Sequence, residues 1–225
     1  MGDAPVHRSI LGVDIENSTS SLRTNPVRAE LRRTLYALLA EAAHNAGVHE
    51  EQCDPLADRG DGVLFLIHPV DEVPKTRLLT SLVPELARLL AERASRLPHA
   101  ERASREMRLR VVLHAGEVHR DVNGPFGEEI DLACRLLDAQ PLRDCLRQTR
   151  QPLVLAVSEY IYQEIVRHGY KGIPRENFRR LLRVDVAGRA HRGWVDIPRC
   201  AADWSVPVQR GVHGSLARVH GRAAG

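Results

Sequence analysis

The chain is poor in aromatic residues and lacks long apolar runs, and both shortages limit its function. Only 4% of its 225 residues are Phe, Trp or Tyr. Recognition of single-stranded nucleic acid relies on stacking of bases on aromatic rings, so we expect no nucleic-acid partner. No segment approaches the roughly 18 uninterrupted apolar residues of a membrane span, and the first ten residues lack the apolar core of a signal peptide. We therefore expect a cytoplasmic protein without a membrane segment.

The cysteine pattern and the charge balance exclude further classes. The four cysteines form no Cys-x-x-Cys pair and no metal-ligand spacing, which predicts reduced thiols. These cysteines are Cys53, Cys134, Cys145 and Cys200. The net charge of +3 demands neither a strongly acidic nor a strongly basic partner. A basic run without interleaved aromatics is typical of a solvated face. This run comprises Arg102, Arg105, Arg108 and Arg110.

The domain organisation follows from length and periodicity. Hydrophobic residues make up 43% of the chain, which supports a packed core. We expect one domain over 1–200 and a flexible tail over 201–225, where Gly, Arg and His follow no period. The chain shows no internal repeat.

Periodicity and turn residues predict an α+β fold with one sheet and helices packed against it. Strands are predicted over 8–15, 48–58, 63–67, 107–118, 153–157, 178–186 and 193–197. Helices are predicted over 26–46, 74–96, 128–139, 141–150 and 159–167. Pro84 predicts a kink or a break in the second helix. The segment 97–105 is predicted to be a charged connection, and Ser158 is predicted to cap the last helix.

Two aspartates lie in sequence contexts that, taken together, are typical of a metal site. Asp14 lies where an apolar run gives way to a Ser-rich turn, and Asp61 lies at the tip of a tight hairpin, Gly60-Asp61-Gly62. Carboxylate oxygens suit Mg²⁺ and Mn²⁺, and such sites commonly combine one or two carboxylates with substrate phosphates. Together the two aspartates favour a metal site for a nucleoside triphosphate. Taken separately, Asp14 is better explained as a strand-end cap and Asp61 as an ordinary hairpin residue.

Two further charged positions allow either a functional or a structural interpretation. Asp131 and Arg135 lie four residues apart on a predicted helix, so both project from one face. They form either a surface ion pair or a catalytic pair in which Arg135 neutralises developing phosphate charge. Arg59 precedes the hairpin aspartate and either contacts phosphates or pairs with Asp58.

The order of these motifs resembles that of the class III nucleotidyl cyclase catalytic domain. The likeness covers about 6–198 and also includes His114-Ala115-Gly116-Glu117-Val118 and the segment 127–135, Gly-Glu-Glu-Ile-Asp-Leu-Ala-Cys-Arg. It implies a ferredoxin-like α+β fold and a head-to-tail homodimer with active sites at the interface. It also implies conversion of a nucleoside triphosphate to a 3′,5′-cyclic monophosphate and pyrophosphate.

The resemblance also implies roles for individual residues. Asp14 and Asp61 correspond to the aspartates that hold two Mg²⁺ or Mn²⁺ ions, with the Ile15 carbonyl completing the metal shell. The turn Asn17-Ser18-Thr19 corresponds to the segment that holds phosphates through backbone N–H groups.

The resemblance assigns the catalytic positions to the helix that follows. Arg135 corresponds to the transition-state arginine. Asp131 stands where the family has an Asn that orients the ribose or the transition state. A carboxylate at this position either orients Arg135, accepts a hydrogen bond from a ribose hydroxyl, or repels the triphosphate.

The chain departs from the purine-specific members of the family. Purine cyclases carry a Lys before the hairpin and an Asp before the later glycine, and by count these positions are Pro55 and Gly124 here. Neither residue makes the expected hydrogen bonds to a purine edge, so discrimination for purines would be lost. Either the base pocket is rebuilt for a pyrimidine or the site is degenerate.

The nearest likeness is to the bacterial pyrimidine cyclases of anti-phage cyclic-nucleotide (Pycsar) systems, which are compact, stand-alone cyclase domains. This likeness implies that UTP, weakly favoured over CTP, is converted to a cyclic messenger read by a separate effector protein. A catalytically silent dimerisation or nucleotide-sensing module is the alternative, and a purine cyclase with a displaced base pocket is a third.

Overall fold

The computed structural model describes residues 4–198. The tail predicted over 201–225 lies outside the described residues. Within residues 4–198 no helix combines the length and apolar character needed to cross a bilayer.

The described residues form one mixed sheet, as predicted. Its strands in chain order are β1 Val6–Ile15, β2 Ala57–Asp58, β3 Gly62–Ile67, β4 Leu109–Asp121, β5 Gly124–Phe126, β6 Leu153–Ser158, β7 Arg179–Val186 and β8 Arg189–Asp196. The order across the sheet is β2-β3-β1-β4-β6-β8-β7, and β5 pairs with β4. Only the β4–β6 pair is parallel among the described strands, because helices intervene between these two strands in the sequence.

Helices cover both faces of the sheet. They are α1 Asn25–Asn45, α2 Lys75–Arg77, α3 Val83–Arg96, α4 His99–Arg105, α5 Glu128–Asp138, α6 Gln140–Gln148 and α7 Glu159–Glu164. One core lies under α1, α3 and α7, and a second core lies under α5 and α6. Successive strand residues point to opposite faces, so Leu11 and Val13 enter the first core while Ile10 enters the second. The expected α+β architecture is therefore confirmed.

The same alternation decides which residues face α5 and α6. On β1 it places Asp14 on the side of Ile10, and on β4 it places Arg110 on the side of Val112, which packs in the second core. In the antiparallel ladders, Asp14 lies directly opposite both Gly62 and Arg110. The ends of three neighbouring strands thus meet on one face.

The strand predicted over 48–58 is wrong over most of its length. Only Ala57–Asp58 pairs as a strand, and Glu50–Gln52 forms a 3₁₀ turn. The turn is capped reciprocally, because Gln52 Oε1 accepts a hydrogen bond from the His49 backbone N–H at 2.9 Å. Arg8 on β1 also binds the Asp54 side chain, with Nε to Oδ2 at 2.9 Å. Before Ala57, pairing with β3 is therefore limited to an isolated bridge between Cys53 and Ile67.

The break predicted at Pro84 is present as a change of helix type. A π-helical turn, Leu78–Leu82, lies just before Pro84, and the α-helix resumes at Val83. The prediction of a connection over 97–105 is wrong, because His99–Arg105 forms α4. Pro98 precedes its first residue, and Arg102 and Arg105 lie in its last turn, where positive charge favours the helix dipole.

Candidate active site

The strand ends and the turn after β1 enclose a cleft of about 350 Å³. Of the residues assigned to the site from sequence, seven line this cleft together: Asp14, Ile15, Asn17, Ser18, Thr19, Arg59 and Asp61. The structure therefore brings the predicted metal residues and the predicted phosphate residues to one place.

The β2–β3 hairpin approaches β1 unusually closely. The backbone N–H of Ile15 donates to the Asp61 carbonyl at 3.2 Å. A Cβ added to Gly62 would lie 2.4 Å from the Val13 carbonyl oxygen, a distance that no real side chain tolerates. Glycine at this position is what allows the hairpin tip to carry Asp61 alongside Asp14.

The Asp61 side chain is exposed at the hairpin tip and is held by the turn after β1. Ser18 Oγ donates a hydrogen bond to Asp61 Oδ2. Asp61 thus has one carboxylate oxygen engaged by the protein, and the carboxylate lines the cleft.

The turn after β1 lines the cleft and contains backbone N–H groups without a backbone partner. Asn17 adopts a left-handed conformation with φ of 53°, which Asn tolerates better than most residues. The N–H groups of Asn17, Ser18 and Thr19 donate to no backbone carbonyl in the described part of the chain. Backbone N–H groups gathered around a left-handed residue make an anion-binding concavity.

Arg23 anchors this turn through hydrogen bonds to backbone carbonyls. Its guanidinium is buried and donates to the Glu16 carbonyl at 2.6 Å and to the Glu106 carbonyl at 2.8 Å. Burial lowers the pKa of Arg23, although nearby Glu16 opposes this effect. The turn is therefore anchored to the segment that precedes β4.

Arg110 is a residue of the cleft that sequence reasoning missed. Its side chain is only 10% exposed, and Nη2 donates to Asp14 Oδ2. Its Nε has no hydrogen-bond partner among the described residues. Burial, reinforced by the positive charges of Arg143 and Arg147, lowers the pKa of Arg110 to about 10.

The interpretation of 102–110 as a solvated basic face is wrong for two of its members. Arg110 lines the cleft, and Arg108 binds Glu16 Oε2 at 3.2 Å and the Thr149 carbonyl at 2.7 Å. The alternation Arg108-Leu109-Arg110-Val111 was the available signal, because it places both arginines on one face of a strand.

The donor set suits a hard divalent cation. Two carboxylates, Asp14 and Asp61, reach one cleft, and the closeness of Gly62 to β1 is what brings them there. Within residues 4–198, no cluster of three or more His, Cys, Asp or Glu side chains has the arrangement of a self-sufficient metal site. Two carboxylates suit Mg²⁺ or Mn²⁺ in sites where phosphates and water supply the remaining ligands.

Asp131 and Arg135 do not line the cleft that Asp14 and Asp61 form. Both are exposed on α5, whereas Cys134 of the same helix lines the cleft. No ion pair joins Asp131 to Arg135 in the described structure, which argues against the surface-pair interpretation. Arg59 lines the cleft and forms no salt bridge in residues 4–198, while Asp58 pairs with Arg32 instead.

The positions assigned to base reading are only partly supported. Pro55 lines a separate groove against α1, beside Ala43 and His44. Ala57 lies opposite Leu64 and packs in the second core, so Ala57 is the residue of this strand that faces the side of the cleft. Gly124 lies at the β4–β5 hairpin, where it pairs with Asp121. Neither Ala57 nor Gly124 carries a polar side chain.

Comparison with solved structures identifies the fold. An adenylate/guanylate cyclase/hydrolase from Silicibacter pomeroyi aligns with a TM-score of 0.60 and 19% identity over 87% of this chain and 99% of that chain. The guanylyl cyclase Cya2 aligns with a TM-score of 0.58 and 15% identity over 92% of this chain and 98% of that chain. The adenylyl cyclase CyaB from P. aeruginosa aligns with a TM-score of 0.56 and 13% identity over 87% of this chain and 95% of that chain.

These alignments show that the chain has the fold of nucleotide cyclase catalytic domains. No protein-family model and no curated protein matches the chain. The likeness is one of architecture at identities below 20%.

Proposed function

We propose that the chain is a metal-dependent nucleotide cyclase that acts on a pyrimidine nucleoside triphosphate. The observation that carries this proposal is the cleft itself, in which Asp14 and Asp61 lie beside an open backbone turn and a buried arginine. A cyclase fold without an active site would have no need to bring two carboxylates and phosphate-binding N–H groups together. The cyclase fold of the solved neighbours supports the same reaction class.

The proposed reaction is an intramolecular displacement. The ribose 3′-oxygen forms a bond to the α-phosphorus, the bond from that phosphorus to the β-phosphate bridging oxygen breaks, and pyrophosphate leaves while the hydroxyl proton passes to solvent. Two Mg²⁺ or Mn²⁺ ions held by Asp14, Asp61 and the Ile15 carbonyl would lower the pKa of that hydroxyl and neutralise the leaving group. The N–H groups of Asn17, Ser18 and Thr19 orient the phosphates.

The remaining catalytic residues are proposed to act across a homodimer. Asp131 and Arg135 are exposed on α5 rather than directed into the cleft of their own chain. A second copy arranged head to tail would bring them to the cleft of its partner. There Arg135 neutralises charge on the transferring phosphate, and Asp131 accepts a hydrogen bond from the ribose.

The proposal that the base is a pyrimidine rests on the lack of polar side chains that would bind a purine edge. A purine-reading site needs side chains that hydrogen-bond the base edge, and Ala57 and Gly124 supply none. UTP is favoured over CTP, and the product is proposed to serve as a messenger in anti-phage defence, read by a separate effector protein. The neighbours in the structural comparison are adenylyl and guanylyl cyclases, so the pyrimidine preference depends on these two positions alone.

A silent nucleotide-sensing module is the second candidate. One observation favours it: Arg110 already occupies an oxygen of Asp14. In a silent module this pair would be a permanent structural salt bridge. In an enzyme, Arg110 moves from Asp14 to a substrate phosphate.

The proposal is tested by Asp61→Asn. Removing this charge while keeping the shape should reduce Mn²⁺-dependent product formation by about 100-fold or more, because the site loses one of its two carboxylates. Asp71→Asn is the control, since Asp71 is an exposed acid outside the cleft. Cyclic product formed by Asp61→Asn at the wild-type rate would contradict the metal assignment.

A further inference from the structure

Helix α6 places two arginines on the cleft from a firmly anchored backbone. Leu142 and Leu146 are fully buried in the second core, one helical turn apart. Arg143 and Arg147 each follow one of these leucines, and both line the cleft. Because the leucines fix the rotation of α6, the two arginines share one direction.

The cleft therefore has two chemically different ends. Asp61 on the hairpin, Asp14 on β1 and Arg110 on β4 succeed one another across neighbouring strands, a span of about 10 Å at the usual strand spacing. Helix α6 packs on β4 and β6, beyond Arg110. Asp14 and Asp61 lie at one end, and Arg110, Arg143 and Arg147 lie at the other, where Asp138 pairs with Arg143.

The cationic end keeps hydrogen-bond donors that the protein does not use, because the buried Nε of Arg143 has no partner among the described residues. Arg110 is nine-tenths buried, and its Nε has no partner among the described residues. Three guanidinium groups around one concave surface repel one another, and an anion bound between them would remove that repulsion.

The α6 arginines are held by exposed acids that a ligand can replace. Arg143 Nη2 lies 2.8 Å from Asp138 Oδ1, and Arg147 Nη1 lies 3.0 Å from Asp144 Oδ1. The arginine side chains are 37% and 57% exposed in these pairs. Ion pairs exposed in this way contribute little to stability, so exchanging the acid partners for a ligand in the cleft costs little.

We propose that Arg143 and Arg147 bind the β- and γ-phosphates of the substrate and the pyrophosphate that leaves, from the same chain that supplies Asp14 and Asp61. This inference rests on the proposed function, because it assigns the polyphosphate end of that same site. It implies that each chain of a dimer binds the β- and γ-phosphates with its own residues.

The test is calorimetric titration of the full chain with inorganic tripolyphosphate in the presence of Mn²⁺. Arg143→Ala and Arg147→Ala should each weaken binding by about tenfold, the effect of one charge-assisted hydrogen bond. Arg150→Ala is the control, since Arg150 is exposed beyond the end of α6 and does not line the cleft. Thermal melting of each variant verifies that it folds.

Asp138→Asn separates ligand binding from a structural role. If Asp138 competes with phosphate for Arg143, its neutralisation should strengthen tripolyphosphate binding, whereas Arg143→Ala weakens it. If the Arg143–Asp138 pair is only structural, the two variants should behave alike, and that result overturns the inference. Wild-type affinity in Arg143→Ala/Arg147→Ala, or no binding to the wild-type chain, would also overturn it.

Failure of the phosphate subsite can be distinguished from failure of the proposed cyclase activity. Arginine-dependent tripolyphosphate binding by a chain that forms no cyclic product would support the subsite and refute the cyclase activity. Normal cyclase activity with an unchanged KM in Arg143→Ala/Arg147→Ala would support the cyclase and refute the subsite.

Discussion

His114 joins three elements of the fold through one buried side chain. Its Nδ1 lies 2.7 Å from Ser158 Oγ, and its Nε2 lies 2.5 Å from Glu129 Oε2. Ser158 Oγ in turn accepts from the Ile161 N–H and caps α7, as the sequence predicted. One histidine thereby links β4, α5 and the β6–α7 junction, which makes its role structural.

The His114 hydrogen bond predicts a pH dependence of stability. It holds the pKa of Glu129 below its usual range. The charged carboxylate therefore stabilises the fold above its unfolded-state pKa, and this contribution is lost as the pH falls through the lower folded-state pKa. The difference in unfolding free energy between wild type and Glu129→Gln should shrink between about pH 6 and about pH 3. Urea unfolding at each pH measures this difference.

The neighbouring Glu128 provides the matched comparison. Glu128 is exposed and makes no side-chain hydrogen bond in the described structure. The difference between wild type and Glu128→Gln should stay nearly constant over the same interval. A Glu129→Gln difference that is equally flat would show that His114 does not stabilise the charged carboxylate.

For single residues, the sequence predicted which side chains carry the chemistry better than it predicted which residues they contact. Asp14 and Asp61 stand out from their neighbouring residue types, because a polar residue after an apolar run and an Asp between glycines are local signals. For Arg110 the alternation over 108–111 indicates only the face of the strand, and its position opposite Asp14 across a ladder has no local signal. Which residue near Pro55 faces the side of the cleft likewise had no local signal, because the face of a residue depends on where pairing begins.

Helix α1 braces the hairpin that carries Asp61. Arg32 Nη1 lies 2.5 Å from Asp58 Oδ1 and donates to the Gly60 carbonyl at 3.0 Å. Asp58 Oδ1 also accepts from the Gly60 N–H at 2.9 Å. The Arg32 hydrogen bond lowers the pKa of Asp58 to about 2, so the brace persists at neutral pH.

Removing this brace should loosen the metal end of the cleft. Arg32→Ala frees the hairpin tip, and a displacement of Asp61 by about 1 Å is expected to reduce kcat/KM by roughly 10- to 100-fold. The variant should melt close to the wild-type temperature, because the ion pair is exposed. Steady-state kinetics with Mn²⁺ and thermal melting measure the two effects.

Arg33 offers a control on the same helix. It is exposed and makes no salt bridge in residues 4–198, so Arg33→Ala should leave kcat/KM unchanged. Equal activity of the Arg32 and Arg33 variants would contradict the bracing role.

Elements with strong periodicity were predictable and those fixed by local capping were not. Helix α1 is confirmed within one or two residues of its predicted bounds, because apolar residues recur along one face and Pro26 lies near its start. The segment 48–58 is mostly not a strand, since the His49–Gln52 cap and the Asp54 side-chain contacts decide its path. Helix α4 is short and has no buried residue, so its sequence shows no apolar period.

At the scale of the whole molecule, one sheet with helices on both faces carries the cleft at the ends of neighbouring strands. The order β2-β3-β1-β4-β6-β8-β7 places the three strands of the site at neighbouring positions. The pairing order was not predictable from the sequence, because it depends on contacts between residues about 50 to 100 positions apart, such as Asp14 with Gly62 and Arg110.

The described chain also separates its two groups of predicted site residues. Asp14 and Asp61 line the cleft, while Asp131 and Arg135 are exposed on α5. A homodimer that joins the two groups is consistent with this separation and remains a prediction. The central claim about this chain is that it forms a cyclic pyrimidine monophosphate.

The measurement that tests this claim most directly is incubation of the full chain with Mn²⁺ and ATP, GTP, CTP or UTP, with products resolved by mass spectrometry. The account predicts a 3′,5′-cyclic pyrimidine monophosphate, with UTP preferred over CTP, and pyrophosphate in equal amount. A cyclic purine product would contradict the base assignment that rests on Ala57 and Gly124. No cyclic product from any of the four nucleotides, with a folded dimer present, would contradict the cyclase assignment.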